Sequence, residues 1–170
     1  MISYILAVVV GLGIIAADQI SKWIVAENMV LSGKEIPFID GFIQFSYIHN
    51  EGGAWGLMSG QTWLLVSVTV IAMLICLALL LRHGAKNKIL FWAIICILSG
   101  GLGNMIDRIF RGGNVIDFID FQFINFPIFN IADIAVCVGT GLLFLYFILD
   151  SIKDVKARRK KIAEKENGDI

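Results

Sequence analysis

Four long apolar stretches constrain this chain more than any other feature. Residues 2–17 of the first stretch and all of the second and third are free of charged residues, and the fourth contains only Asp133. About twenty helical residues cross the hydrocarbon core of a bilayer, which is roughly 30 Å thick. The chain is 58% hydrophobic and 16% charged, whereas a soluble domain has about 25% charged residues. We therefore predict an all-α membrane protein with four transmembrane helices, at about residues 2–26, 62–81, 89–106 and 128–149.

The first apolar stretch could also be a cleaved signal peptide. It lacks a basic amino-terminal region, its apolar part is long, and it carries Asp18 and Lys22, none of which is typical of such a peptide. We predict that it is a helix of the mature protein. Residues 1–150 then form one four-helix transmembrane domain, and 151–170 form a charged tail.

The distribution of lysine and arginine predicts the orientation in the membrane. Of the 14 such residues, ten lie in the 82–88 loop and the carboxyl-terminal tail, and such residues favour the cytoplasmic side. Both termini are therefore expected in the cytoplasm, and the loops 27–61 and 107–127 on the outer side. The formal net charge is zero, so nothing indicates nucleic acid as a partner.

The first outer loop is too long for a simple connection. Ile43, Phe45 and Tyr47 alternate with their neighbours in the manner of a strand, and Asp40-Gly41 is typical of a turn before them. We predict a small β-sheet that lies on the outer membrane face. Pro37 weakens the prediction of a hairpin.

Carboxylates beside or within an apolar run are the main candidates for chemistry. A charged side chain at the bilayer centre costs roughly 2.5–3.5 kcal/mol on insertion scales, so such residues are usually functional. Asp117 and Asp120 precede the fourth helix, and Asp133 lies within its first turns. Two carboxylates that meet in a poorly solvated place can share one proton and activate water. We take Asp117 and Asp133 as that pair.

Other polar residues fall near the same end of the helices. Asp18 and Lys22, four apart, form either an interfacial ion pair or part of a polar cleft. Asn104 and Arg108 share a helix face, and Asn130 can cap the fourth helix. Ser99 and Gly103 form a small-residue step that favours close helix packing. The cysteines lie in apolar runs and the two histidines on opposite sides, so no metal site is predicted.

Five polar motifs follow one another in a fixed order along the chain. Together they closely resemble lipoprotein signal peptidase, also called signal peptidase II, from helix one through helix four. The motifs are Asp18-Gln-x-Ser-Lys22, Asn50-x-Gly-Gly-Ala-Trp, Gly103-Asn104-x-Ile-Asp107-Arg108, Val115-Ile-Asp117-Phe and Phe129-Asn130-x-Ala-Asp133.

The resemblance implies a multi-pass aspartyl endopeptidase of the bacterial cytoplasmic membrane, with its active site on the outer face. Its partners would be membrane lipid and a prolipoprotein that carries a diacylglyceryl group, and it would cut just before the lipidated cysteine. The catalytic pair falls on Asp117 and Asp133. The residues that match substrate-binding positions are Asn50, Asn104, Arg108, Asn130, Asp18 and Lys22. No cofactor or metal is implied, and we expect a monomer.

Three other functions remain as alternatives. A proton-coupled transporter would need polar groups through the whole membrane, but these cluster near one side. A Ser–Lys peptidase could use Ser21 and Lys22, but adjacent helical side chains point about 100° apart. A non-enzymatic assembly protein would not need so many costly polar groups at one place.

Overall fold

The computed structural model describes residues 2–29, 35–53, 57–83 and 87–168. Within these ranges the chain forms helices and a small sheet. In chain order, the elements are α1 (Ile2–Met29), β1 (Ile36–Ile39), β2 (Ile43–Asn50), α2 (Thr62–His83), α3 (Lys88–Phe110), β3 (Val115–Phe121) and α4 (Ile131–Gly168).

Each apolar stretch forms a helix that is long enough to cross a membrane. In the described part of the chain four helices meet this condition, with spans at Tyr4–Met29, Thr62–His83, Lys88–Phe110 and Ile131–Lys160. Their outer faces are apolar: Trp63 and Leu81 of α2, for example, are 81% and 79% exposed. Large apolar side chains that face outward suit a bundle surrounded by lipid rather than water.

Helix α3 lies at the centre of the bundle and packs against α1, α2 and α4. A Cβ atom added to Gly100 would lie 2.3 Å from the carbonyl oxygen of Ala132 in α4. One added to Gly103 would lie 2.7 Å from Oδ2 of Asp18 in α1. The predicted small-residue step at Ser99 and Gly103 therefore lies on the part of α3 that contacts α1 and α4. Small side chains there let both helices approach α3 closely.

The sheet has three antiparallel strands in the order β1-β2-β3. The predicted turn at Asp40-Gly41 joins β1 to β2, and Gly41 has a φ of +71°. Pro37 lies in the edge strand β1, which suits proline because it cannot donate a hydrogen bond to a strand ladder. The register of β1 with β2 is irregular between Pro37 and Ile39.

The third strand corrects the expectation for the second outer loop. Residues 115–121 were predicted as loop, but they form β3 and pair with β2. The β-branched and aromatic residues of this segment favour a strand, and the strand is buried over its first four residues. Side chains three apart on a strand point to opposite faces, so Asp117 and Asp120 do not share a face as they could on a helix.

Helices α3 and α4 have bounds that differ from those predicted from the apolar runs. Helix α3 continues past residue 106 to Phe110, because Asp107 is paired inside the protein. Helix α4 begins at Ile131 rather than 128, because Phe129 pairs with Ile119 of β3, and it continues through the charged tail to Gly168. The division into one domain and a tail stays a prediction, as does the orientation of the termini.

Candidate active site

Asp117 lies on β3 and is almost fully buried, with 2% of its surface exposed. Its Oδ1 accepts a hydrogen bond from Nδ2 of Asn130, at 2.6 Å, and its Oδ2 accepts one from Nδ2 of Asn50, at 2.7 Å. The β2–β3 register places Ile48 opposite Asp117. Asn50 lies two residues further along β2, on the same face as Ile48, and from there its side chain reaches Asp117. Both carboxylate oxygens therefore face an N–H donor.

Asp133 lies in the first turn of α4, in a reciprocal cap. The backbone N–H of Asp133 donates to Oδ1 of Asn130, at 2.9 Å, and Oδ2 of Asp133 accepts from the backbone N–H of Asn130, at 3.1 Å. This is the geometry of a capping box, and it bears out the expectation that Asn130 caps the helix. The other oxygen, Oδ1, accepts from Nδ2 of Asn104, at 2.7 Å.

Asn130 connects the two aspartates. It is fully buried, caps the helix that carries Asp133, and donates from Nδ2 to Asp117. The same Nδ2 atom lies 3.0 Å from Oδ1 of Asn104. The structure thus brings together Asp117 and Asp133, which are 16 positions apart in the chain, through a short chain of amides.

The environment of Asp117 changes its proton affinity. Burial raises the pKa of Asp117 from 3.8 to about 6, and the nearby charge of Asp133 acts in the same direction. The hydrogen bonds from Asn50 and Asn130 and the charge of Lys22 oppose that rise. A carboxyl group with a pKa near 6 exchanges its proton close to neutral pH, as a general acid or base must.

Behind the aspartates lies a buried ionic cluster. The ammonium of Lys22 lies 2.9 Å from Oδ2 of Asp18 and 2.9 Å from Oδ2 of Asp107, and all three side chains are 0% exposed. The predicted ion pair between Asp18 and Lys22 is therefore present, but the ammonium is buried inside the bundle and does not extend outward as an interfacial lysine would. Neither Lys22 nor Asp18 lines the cavity beside the aspartates.

Sequence reasoning did not select Asp107 as a site residue. Its Oδ1 accepts from Gln19 and contacts Nε of Arg111, at 3.2 Å, while Oδ2 also accepts from the backbone N–H of Ile116. It connects α1 and α3 to β3. The spacing of Asp107 could have indicated this role. Asp107 follows Gly103 by four residues, so the two share one helix face, and that face meets Lys22.

A cavity of about 430 Å³ opens beside the two aspartates. One part of its wall is polar, and the remainder is mainly apolar and aromatic. The polar or charged lining residues are Asn50, Asn104, Arg108, Asp117 and Asp133, and the others are Gly53, Val115, Phe121, Phe126, Pro127, Ile128, Phe129, Ile134, Cys137 and Val138.

Arg108 is the cation of this cavity. Its Nε is buried and has no hydrogen-bond partner among the described residues. No ion pair is present for Arg108 in that part of the chain either. Its guanidinium is therefore available to donate to a bound molecule.

Asp120 lies apart from this arrangement. Its Oδ2 accepts hydrogen bonds from Gln44, Ser46 and Gln122, on the other face of β3. The described residues also contain no cluster of three or more histidine, cysteine, aspartate or glutamate side chains that could hold a metal ion.

A bundle of span-length helices that holds two hydrogen-bonded aspartates, one of them buried, beside a mainly apolar cavity has the arrangement expected of a membrane-embedded aspartic hydrolase. The chain belongs to the signal peptidase II family, since the family model described as signal peptidase (SPase) II matches residues 10–149. The family expected from the five motifs is thereby confirmed.

Similar proteins agree with this assignment. A lipoprotein signal peptidase of Bacillus pumilus is 43% identical over 90% of this chain and 96% of its own length. One from Halalkalibacterium halodurans is 40% identical over 96% of this chain and all of its own length. A bacterial membrane enzyme solved by the in meso method at 2.3 Å has a TM-score of 0.76 and 28% identity, over 85% of this chain and 88% of that one.

Proposed function

We propose that this protein is an aspartic endopeptidase that removes the signal peptide from diacylglyceryl-modified prolipoproteins, cutting just before the lipidated cysteine. The observation that carries the proposal is the pair of Asp117, which is buried, and Asp133, which is partly buried. Both are hydrogen-bonded, and both line the polar wall of an otherwise apolar cavity. The names of the similar proteins, lipoprotein signal peptidases, support the choice of substrate.

The chemistry needs one ionised and one protonated carboxylate. The ionised aspartate takes a proton from a water molecule that lies between the two side chains, and the resulting hydroxide attacks the scissile carbonyl. The protonated aspartate donates to the carbonyl oxygen. The tetrahedral intermediate then collapses as its nitrogen is protonated, which releases a new carboxyl group and a new amine. No covalent bond to the enzyme forms.

Neighbouring side chains hold this pair in position. Asn50, Asn104 and Asn130 each donate to one of the two aspartates, so the orientation of the carboxylates is set before substrate binds. A substrate held in a fixed geometry reacts with much less loss of entropy. Arg108 lines the cavity, and its Nε has no hydrogen-bond partner among the described residues, so its guanidinium is placed to donate to a peptide carbonyl of the substrate.

The apolar part of the cavity suits a lipidated, apolar substrate. Phe121, Phe126 and Phe129 line it, and apolar surface of this kind binds acyl chains or apolar side chains. Helix α3 begins at Lys88, beside the basic 82–88 loop, and ends at Phe110, just before β3. Asp133 and β3 therefore lie at the end of the bundle opposite that basic loop. With basic residues in the cytoplasm, the aspartates belong to the outer face of the bacterial cytoplasmic membrane. We expect the enzyme to act as a monomer.

The structure gives little support to a Ser–Lys peptidase. The hydroxyl of Ser21 donates to the backbone carbonyl of Asp18, at 2.8 Å, and the ammonium of Lys22 is used by other groups. A serine nucleophile would need a base within hydrogen-bond reach. Ser21 has no such contact with Lys22.

Incubation of the purified protein with a lipidated prolipoprotein tests the proposal. We expect release of the signal peptide, seen as a loss of mass that leaves the lipidated cysteine at the new amino terminus. The same precursor without its diacylglyceryl group is the matched control and should stay intact. Cleavage at another peptide bond, or equal cleavage of the unlipidated precursor, would contradict the proposal.

Asp117→Asn and Asp133→Asn should each reduce turnover by at least about 100-fold, since an amide cannot take the proton from water. Both proteins should still insert and fold, which is checked by their unfolding midpoints in detergent. Turnover within tenfold of wild type in either variant would remove that residue from the chemistry.

A further inference from the structure

The ammonium of Lys22 is fully used inside the protein. It lies 2.9 Å from Oδ2 of Asp18, 2.9 Å from Oδ2 of Asp107 and 3.0 Å from Oδ1 of Asn104. A lysine ammonium has three N–H donors, so these three oxygens satisfy all of them. Since the side chain is also 0% exposed, no donor is left for a substrate.

The contact with Asn104 decides which way its amide points. The oxygen and nitrogen of a side-chain amide have nearly the same shape, so their positions depend on the hydrogen-bond partners. Oδ1 of Asn104 faces two donors, the ammonium of Lys22 and Nδ2 of Asn130. The Nδ2 atom of Asn104 is thereby turned toward Oδ1 of Asp133.

The same orientation continues into Asn130. Its Nδ2 lies between Oδ1 of Asn104 and Oδ1 of Asp117, and its own Oδ1 accepts from the backbone N–H of Asp133. Reversal of the Asn104 amide would place two N–H groups against each other and turn an oxygen toward Asp133. Asp133 and Asp117 therefore orient the amide of Asn130, while two donors, the ammonium of Lys22 and Nδ2 of Asn130, orient the amide of Asn104.

We propose that Lys22 is a positioning residue for the aspartate pair: its ammonium holds the amide of Asn104, which donates from Nδ2 to Asp133 and accepts through Oδ1 from Asn130, the donor to Asp117. Asp18 and Asp107 keep the ammonium charged and in place. The inference rests on the proposed function. It gives Lys22 and Asp18 a role behind the site instead of contact with substrate.

The charge of Lys22 adds a second effect. The charged groups near Asp117 are Asp133 from α4, Arg108 from α3 and Lys22 from α1. Lys22 lowers the pKa of Asp117, against the effect of burial. Loss of the ammonium should therefore raise the pKa of Asp117, which a purely structural role for Lys22 elsewhere in the bundle would not do.

The test must avoid leaving buried carboxylates without a cation, because such a change alone can prevent folding. Two variants meet this condition. Asp18→Asn/Lys22→Met removes one charge of each sign and leaves Asp107 with Arg111. Asp18→Asn/Lys22→Met/Asp107→Asn removes every charge that touches the ammonium. Either variant that folds carries the test.

The expected result is a fall in kcat of at least tenfold on lipidated prolipoprotein, with KM within twofold of wild type. The inflection of the kcat/KM profile that reports the aspartate pair should also move to higher pH, because loss of the ammonium raises the pKa of Asp117. Arg111→Gln is the matched control. It removes a cation from the other oxygen of Asp107 but makes no contact with Asn104, so kcat and the inflection should not change.

A folded variant that keeps kcat within threefold of wild type, with its inflection unmoved, would overturn the positioning role of Lys22. The same holds if Arg111→Gln has the full effect, because charge near Asp107 would then explain it. A wild-type protein that leaves the lipidated precursor intact would instead overturn the proposed function itself.

Discussion

Asp117 makes the folding stability depend on pH in a way that can be measured without substrate. Burial raises its pKa from 3.8 to about 6. Between these two values the folded protein keeps a proton that the unfolded chain has released. The free energy of unfolding therefore falls as pH rises through this window. The contribution is fully present below about pH 4 and is lost above about pH 6.

The size of this contribution follows from the two pKa values. They differ by about 2 units, and one unit corresponds to about 1.4 kcal/mol, so the contribution is about 3 kcal/mol. Asp117→Asn removes it. The variant also leaves Asn50 or Asn130 facing an N–H group instead of an acceptor, which costs about 1–3 kcal/mol. That second cost does not depend on pH, so it shifts the whole curve without changing its slope.

The assay is equilibrium unfolding of wild type and Asp117→Asn in the same detergent, from pH 4 to pH 8. The difference between the two curves cancels every titrating group that does not interact with Asp117. We expect the variant to gain about 3 kcal/mol relative to wild type between pH 4 and pH 7. Asp117→Leu is the control, with a different offset and the same slope. A difference curve that is flat within about 1 kcal/mol, or that slopes the other way, would refute the burial argument.

The other predictions concern single features of the fold. Asp120→Asn should keep turnover within about threefold, because Asp120 bonds Gln44 and Ser46 on the opposite face of β3; loss of activity comparable to that of the aspartate-pair variants would contradict our choice of pair. Gly103→Ala should destabilise by about 1–3 kcal/mol, since its Cβ would meet Asp18 at 2.7 Å. Gly13→Ala, with nothing within 4 Å, should be neutral or stabilising by up to about 1 kcal/mol, and equal unfolding midpoints for the two would count against close packing at Gly103. A chelator should leave turnover unchanged; inhibition by EDTA that added zinc reverses would indicate a metallopeptidase.

The apolar runs determined the number of membrane-spanning helices in the described part of the chain and their approximate positions. A run of about twenty residues without charge must satisfy its backbone within a helix if it lies in lipid, so its length and composition are sufficient for the prediction. The cap at Asn130 and the turn at Gly41 are also local, because each depends on a few neighbouring residues. These features could be read from the sequence without knowledge of any distant contact.

The tertiary structure decided how the polar residues are used. Residues 115–121 become a strand because β2 is available to pair with them, and this separates Asp117 from Asp120. Lys22 is buried because α1 and α3 approach at Gly103, so that Asp18 and Asp107 surround the ammonium. A charged side chain can be buried only where opposite charges and hydrogen-bond partners meet it. Such partners come from distant parts of the chain, and the spacing of residues along one helix does not reveal them.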